Sequence, residues 1–328
     1  MTDVADMSKS CVDLAQPRLG TEVVYATDEF FAAKERLIDP AEPVFIPGKY
    51  DENGKWMDGW ESRRRRDAGH DYCVVRFGKP GIIKGIEIDT RNFTGNYPPA
   101  ASVEWARSPE TVPADADWSP LLGATALKGD SRLILPIALD ETVTHLRLHI
   151  YPDGGVARLR VYGQVVANFK ASERIDLAAM ENGGLPVAAN DEHFGQVANM
   201  LAPGQARDMG DGWETRRRRE PGHDWSIIAL ARPGRIEEIE IDTSHFKGNY
   251  PDRCFIQAIS GPALPRDLLI TQSLYWPVLL PEQKLSANAQ HVFSDRILAH
   301  EPVRYLRLNI IPDGGVARLR IWGKAVKD

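Results

Sequence analysis

The chain has 328 residues, 43% of them hydrophobic and 26% charged, with a formal net charge of −6. That length predicts two domains of ordinary size, and that composition predicts a soluble globular protein. An acidic balance gives no reason to expect a nucleic-acid partner, and Cys11, Cys73 and Cys254 show no paired spacing, which excludes a disulfide framework and places the chain in a reducing cytoplasm. Residues 1–20 read as an N-terminal arm, polar and aperiodic, without the apolar core of a signal peptide. No later stretch approaches the ~18 apolar residues of a membrane span, so no membrane partner is expected.

From Glu22, EVVYA is predicted to be a strand. Asp28 is then placed to cap a short helix over EFFAAKERLI, with Phe30, Phe31, Lys34 and Ile38 on one face. The same element is predicted at 191–201, DEHFGQVANML, with Asp191 as the cap. Next comes DGWESRRRRDAGHD at 58–71, which recurs as DGWETRRRREPGHD at 211–224, an offset of 153. Gly95-Asn96-Tyr97-Pro98 returns as Gly248-Asn249-Tyr250-Pro251 at the same offset, and PDGGVARLR at 152–160 returns at 312–320, now offset by 160. A whole domain is therefore duplicated, and a solenoid with a period of ~20–50 residues is excluded. The copies are placed at 21–168 and 169–328.

After each Arg quartet the chain alternates apolar and polar residues between turn formers. YCVVRF is expected to end in a KPGI turn before IKGIEIDT, and WSIIAL in an RPGR turn before IEEIEIDT. Further strands are predicted at 101–106, 131–139, 144–150 and 157–163. Such alternation with little helical periodicity predicts an all-β fold, two tandem antiparallel sandwiches of jelly-roll type. Leu146, Leu148 and Ile150 should face inward while His145, Arg147 and His149 face outward, and Leu306, Leu308 and Ile310 repeat the inward set.

In an extended Arg run, Arg63 and Arg65 point one way and Arg64 and Arg66 the other. One pair is then available for structural ion pairs with the flanking acids, and the other for an anion, which a planar guanidinium grips with two hydrogen bonds. Arg217 and Arg219 occupy the second-copy positions of Arg64 and Arg66. His70-Asp71 and His223-Asp224 sit in a turn before a strand, where a histidine serves as acid or base near neutral pH. Glu61 and Glu214 flank the quartets as second ionisable groups. Asn96 and Tyr97, with Asn249 and Tyr250, offer amide and phenol groups suited to a ureido or amide ligand; turn chemistry alone also accounts for Gly, Asn and Pro there. Asp153-Gly154-Gly155 and its copy read as turns, with Arg158 and Arg318 anchoring the last strand. No metal motif appears, and His145 and His149 become Tyr305 and Asn309 in the second copy, which favours a structural role for them. A divalent metal at His70, Asp71 and Glu61 is left open with no motif to support it. P-loop, dinucleotide and Ser-hydrolase signatures are absent.

The DGWExRRRRxxGHD block, the EIDTxxFxGNYP segment and the closing PDGGVARLRxxG together resemble the allantoicase family, over residues 20–326 and in both repeats. The resemblance implies two jelly-roll domains like galactose-binding sandwiches, a homo-oligomer, and hydrolysis of allantoate to ureidoglycolate and urea in purine and allantoin degradation. It casts the Arg residues as carboxylate binders and a His-Asp pair, with Glu61 or Glu214, as the proton-transfer groups. Two alternatives differ in class: a duplicated non-catalytic sugar-binding sandwich, and a metal-dependent hydrolase of another ureido acid. Arg, His and Asp in the repeated loops, in place of an aromatic platform, favour the small anionic substrate.

Overall fold

In each copy one long strand organises the rest. The computed structural model describes residue 7 and residues 11–170 and 173–326, divided into two units, Met1–Val166 and Ala167–Asp328. In the first unit the strand Asp71–Asp89 runs through both layers of the sandwich. Its first part pairs with Glu22–Ala26 and Val143–Tyr151; its last part pairs with Arg158–Val165 and Arg132–Pro136. The sheet continues from Val143–Tyr151 to Ala100–Ala106 and Ser119–Ala126, and all pairings are antiparallel. The second unit repeats this around Asp224–Asp242. The expected KPGI and RPGR turns are thus irregular points inside one strand, where the ladder slips between Val143 and His145 and between Ala229 and Gly234. Gly81 and Gly234 permit that passage, because a Cβ there would meet Leu14 and Leu177 at 2.5 Å.

The interior is the apolar set read from period 2. Leu146, Leu148, Ile150, Leu306, Leu308 and Ile310 are all fully buried. Trp60 and Trp213 of the duplicated block are buried as well, and their indole N–H groups donate to the carbonyls of Asp28 and Asp191 at 2.8 and 2.9 Å. That contact fixes each Arg quartet to the start of its domain.

Four expectations need correction. The outward face of Val143–Tyr151 is covered: His145 and His149 are buried, because Trp118 and the side chains of neighbouring strands lie over them. The helix over EFFAAKERLI is only a 3₁₀ turn at Lys34–Ile38, and its counterpart is the four-residue helix Val197–Met200. Asp28 and Asp191 cap neither; their carboxylates accept from the N–H of Phe30 and His193 two residues on, and from arginines. Val12–Asp13 is a strand paired with Arg158–Val165, with Leu14 and Leu19 buried, so the N-terminal arm is integral from residue 11 on; its residues 1–6 and 8–10 lie outside the described residues. Separately from these, the second copy carries the helix Arg266–Gln272 between two strands, where the first has a 3₁₀ turn at Asp115–Asp117. Its Leu269 packs with Ile227, Trp276 and Tyr305.

Candidate functional site

The Pro-Asp-Gly-Gly turn gathers the duplicated motifs at one end of each sandwich. In the first copy, entered through a cis Tyr151–Pro152 peptide, the Pro152 carbonyl accepts from the Asp71 N–H at 3.0 Å. The Asp153 carboxylate accepts from the Arg65 N–H at 2.9 Å. The Gly154 carbonyl accepts from the Ser62 N–H at 3.1 Å, and the Gly155 N–H donates to the Asn96 carbonyl at 2.7 Å. Pro312, Asp313, Gly314 and Gly315 hold Asp224, Arg218, Thr215 and Asn249 through the same four bonds. One turn, through three backbone groups and the Asp153 carboxylate, thus ties together two segments distant in sequence, 62–71 and the loop at Asn96. Arg158 and Arg318, both buried, lie behind it; Arg158 ties the last strand to Asp58 at 2.9 Å and Arg318 to Asp211 at 3.2 Å, as the anchoring role requires.

The quartets alternate as extended backbone demands. Arg63 pairs with Asp28 at 2.7 Å, and Arg65 with Asp71 at 2.7 Å and Asp67 at 3.1 Å. Arg216 and Arg218 pair likewise with Asp191 and Asp224, each at 2.7 Å. Arg64, Arg66, Arg217 and Arg219 are exposed and have no ion pair among the described residues. In the second copy the four arginines, with Asn190 and Asp224, line a hollow of about 310 Å³. Glu214, His223, Asn249 and Tyr250 are not part of its lining.

The sequence-adjacent His-Asp pairs do not bond to each other. Asp71, buried, accepts from Arg65 and from the Thr27 hydroxyl at 2.9 Å on one oxygen, while its other oxygen is buried without a partner. Asp224 accepts from Arg218 and the Asn190 amide, both at 2.7 Å. His70 instead places Nε2 2.8 Å from Nδ1 of His149, whose Nε2 is 2.7 Å from the Glu104 carboxylate. Consecutive side chains point to opposite faces of a strand, so neighbours in sequence cannot meet there. Sequence alone assigns His149 a structural role and does not single out Glu104; the structure adds that His149 bridges His70 and Glu104. The signal was present only in the pairing: His149 lies opposite both Tyr72 and Ser102, beside His70 and Glu104.

Glu61 is buried and receives the Asn96 amide at 2.7 Å. Burial pushes its carboxyl above the ordinary range, against the opposing effect of that amide. Glu214 receives the Asn249 amide in the same way. Tyr97 packs its ring on Met57, Phe93 and Ala157, which makes it part of a small core under the loop. His70, Asp71 and Glu61 are not gathered as a ligand set: among the described residues no three His, Cys, Asp or Glu side chains are grouped to hold a metal ion.

Comparison with known proteins agrees with this architecture. A family model described as the allantoicase repeat matches residues 12–166 and again 175–326. The chain is 56% identical to a probable allantoicase 1 of Burkholderia mallei, over 97% of its own length and 96% of the relative's. It is 52% identical to a probable allantoicase of Ralstonia nicotianae, at 97% and 96% coverage. Among solved structures, the allantoicase of Saccharomyces cerevisiae superposes with a TM-score of 0.83 at 36% identity, covering 98% of this chain and 96% of that one. Both halves carry the repeat, and the chain belongs to the allantoicase family.

Proposed function

We infer that the protein hydrolyses allantoate, with water, to ureidoglycolate and urea, a step in purine and allantoin degradation. The full-length identity to probable allantoicases carries this reading. Allantoate bears one carboxylate and two ureido groups on a single carbon. Arg64 and Arg66, with Arg217 and Arg219, are the exposed forks left for the carboxylate once Arg63, Arg65, Arg216 and Arg218 are paired. Asn96, Tyr97, Asn249 and Tyr250 serve the ureido groups. When the C–N bond breaks, the leaving nitrogen takes a proton, the oxygen of water bonds to carbon, and a base takes the proton that water gives up. Glu61 or Glu214 supplies the acid, and the upward shift of Glu61 keeps a proton available there. His70 or His223 takes the base role. Asp71 and Asp224 contribute by fixing Arg65 and Arg218 beneath the loop.

A homo-oligomer and a cytoplasmic location belong to the same proposal. The location is supported by Cys73 and Cys254, buried thiols that form no disulfide among the described residues. Among the described residues no helix is long and apolar enough to cross a membrane. The test is urea release from allantoate by the purified protein, with and without a chelator; loss on chelation would bring a metal into the site. His70→Asn and His223→Asn, made separately, should lower kcat about 100-fold in at least one. Near-wild-type activity in both would remove the histidine assignment.

A further inference from the structure

The two copies keep the same scaffold but back their histidines with different chemistry. In the first copy the Glu104 carboxylate accepts from Nε2 of His149 at 2.7 Å and from Arg147 Nε at 2.7 Å. A carboxylate only accepts, so His149 carries its proton on Nε2 and offers Nδ1 as the acceptor for His70 Nε2–H at 2.8 Å. The second copy has Asn309 in place of His149 and Gln257 in place of Glu104, on the paired strands Val303–Ile311 and Arg253–Ile259. Gln257 spends its amide N–H groups on the carbonyls of Leu274 and Trp276, so its oxygen accepts from the Asn309 amide at 3.2 Å. The Asn309 oxygen therefore faces His223 Nε2 at 3.0 Å and Arg307 Nε at 2.8 Å.

The charges behind the two rings differ in sign. Arg147 is compensated by Glu104 and by Asp115 at 3.0 Å. Arg307, only 2% exposed, pairs with no carboxylate among the described residues; it rests on Ser273 and over the Trp225 ring. Burial pulls its guanidinium down to about 10, still charged at neutral pH. A proton taken up by His70 thus meets, through His149, an anion. A proton taken up by His223 meets, through an amide that cannot pass it on, a cation.

We propose, resting on the allantoate reading above, that the copies divide the chemistry: the first performs proton transfer through His70, with His149 and Glu104 as its positioning residues, and the second binds without exchanging protons. In the first copy His70 takes the proton of water at Nδ1, and its Nε2–H stays bonded to His149. The positive charge gained is held by ionised Glu104; after urea leaves, His70 gives that proton to solvent and Glu61, which protonated the leaving nitrogen, takes one back, so nothing is gained or lost over a cycle. Burial disfavours ionised Glu104, but the hydrogen bonds from His149 and Arg147 outweigh it and hold the carboxyl below its ordinary value. Burial likewise lowers His149, which keeps it the neutral acceptor. The other groups facing this pair are Tyr72, 5.4 Å from the His149 ring, and Tyr151, 4.6 Å from the His70 ring.

The test exchanges residues between copies. Glu104→Gln with His149→Asn installs in the first copy the pair that the same fold already accommodates in the second. In urea release from allantoate, kcat should fall about 100-fold with KM changed less than about threefold, and the acid limb of the kcat–pH profile should shift or vanish. If the double variant does not fold by circular dichroism, the isosteric Glu104→Gln alone carries the same expectation. Wild-type kcat and an unmoved pH profile in a folded variant would overturn the proposal. A wild type that releases no urea would instead overturn the allantoate reading, and the proposal with it.

Discussion

Glu61 shows how one residue's surroundings set its chemistry. It is 8% exposed, and burial raises its carboxyl above the ordinary value of 4.5 while the Asn96 amide opposes the shift. Between the ordinary and the raised value the native protein binds more protons here than the unfolded chain does. This contribution to stability is fully present below the ordinary value and is lost as pH rises through the folded value. Glu61→Gln keeps the shape and removes the titration. Relative to wild type, the variant should therefore gain stability as pH is raised from about 4 to about 8. The difference between the two urea unfolding curves across that range measures it. A difference that does not change with pH would mean that Glu61 titrates as an ordinary solvated carboxyl and is a poor acid for the leaving nitrogen.

At the scale of an element, the Pro-Asp-Gly-Gly turn decides whether the loops meet. Gly154 has φ +137°, and a Cβ there would lie 2.8 Å from the Asn96 carbonyl and from the nitrogen of Pro98. Gly154→Ala must both strain the backbone and push the Asn96 loop away, which should cost about 2 kcal/mol and raise KM for allantoate. Gly95→Ala is the control, since nothing lies within 4 Å of its Cβ and its stability should stay within about 0.5 kcal/mol of wild type. Thermal melts of the two variants separate the outcomes, and equal melts would remove the turn from its gathering role. This turn was legible as a turn because Gly and Asp announce one, and the strands were legible because Leu146, Leu148 and Ile150 alternate. The alternation of the Arg quartet was legible for the same reason, though not which alternate pair would be taken up by ion pairs or that Asp28 and Asp191 would supply them. What pairs across strands was not: the His70–His149–Glu104 line joins residues 79 and 45 positions apart, and only the register brings them together. The short helices failed as predictions because Asp28 and Asp191 are recruited by Arg63 and Arg216, a tertiary demand that local spacing does not encode.

At the scale of the whole molecule, duplication lets scaffold and chemistry be compared inside one chain. The scaffold positions are identical or alike: Leu146 and Leu306 are both fully buried at matching places in Val143–Tyr151 and Val303–Ile311. The chemical positions have moved apart, with Glu104 against Gln257 and His149 against Asn309. On the proposal above, packing and proton transfer therefore rest on different residues of the same strands, the first set matched between copies and the second not. Leu146→Ala and Leu306→Ala should each remove about 3 kcal/mol from their own unit, through lost burial and the cavity left behind. Native-state hydrogen exchange read separately on Val143–Tyr151 and Val303–Ile311 reports each loss where it occurs, without assuming that the chain unfolds in one step. The two losses should agree within about 1 kcal/mol, while His70→Asn and His223→Asn should differ widely in kcat. Unequal core losses beside equal histidine effects would reverse the picture. They would mean that the copies drifted apart in packing while their active groups stayed equivalent.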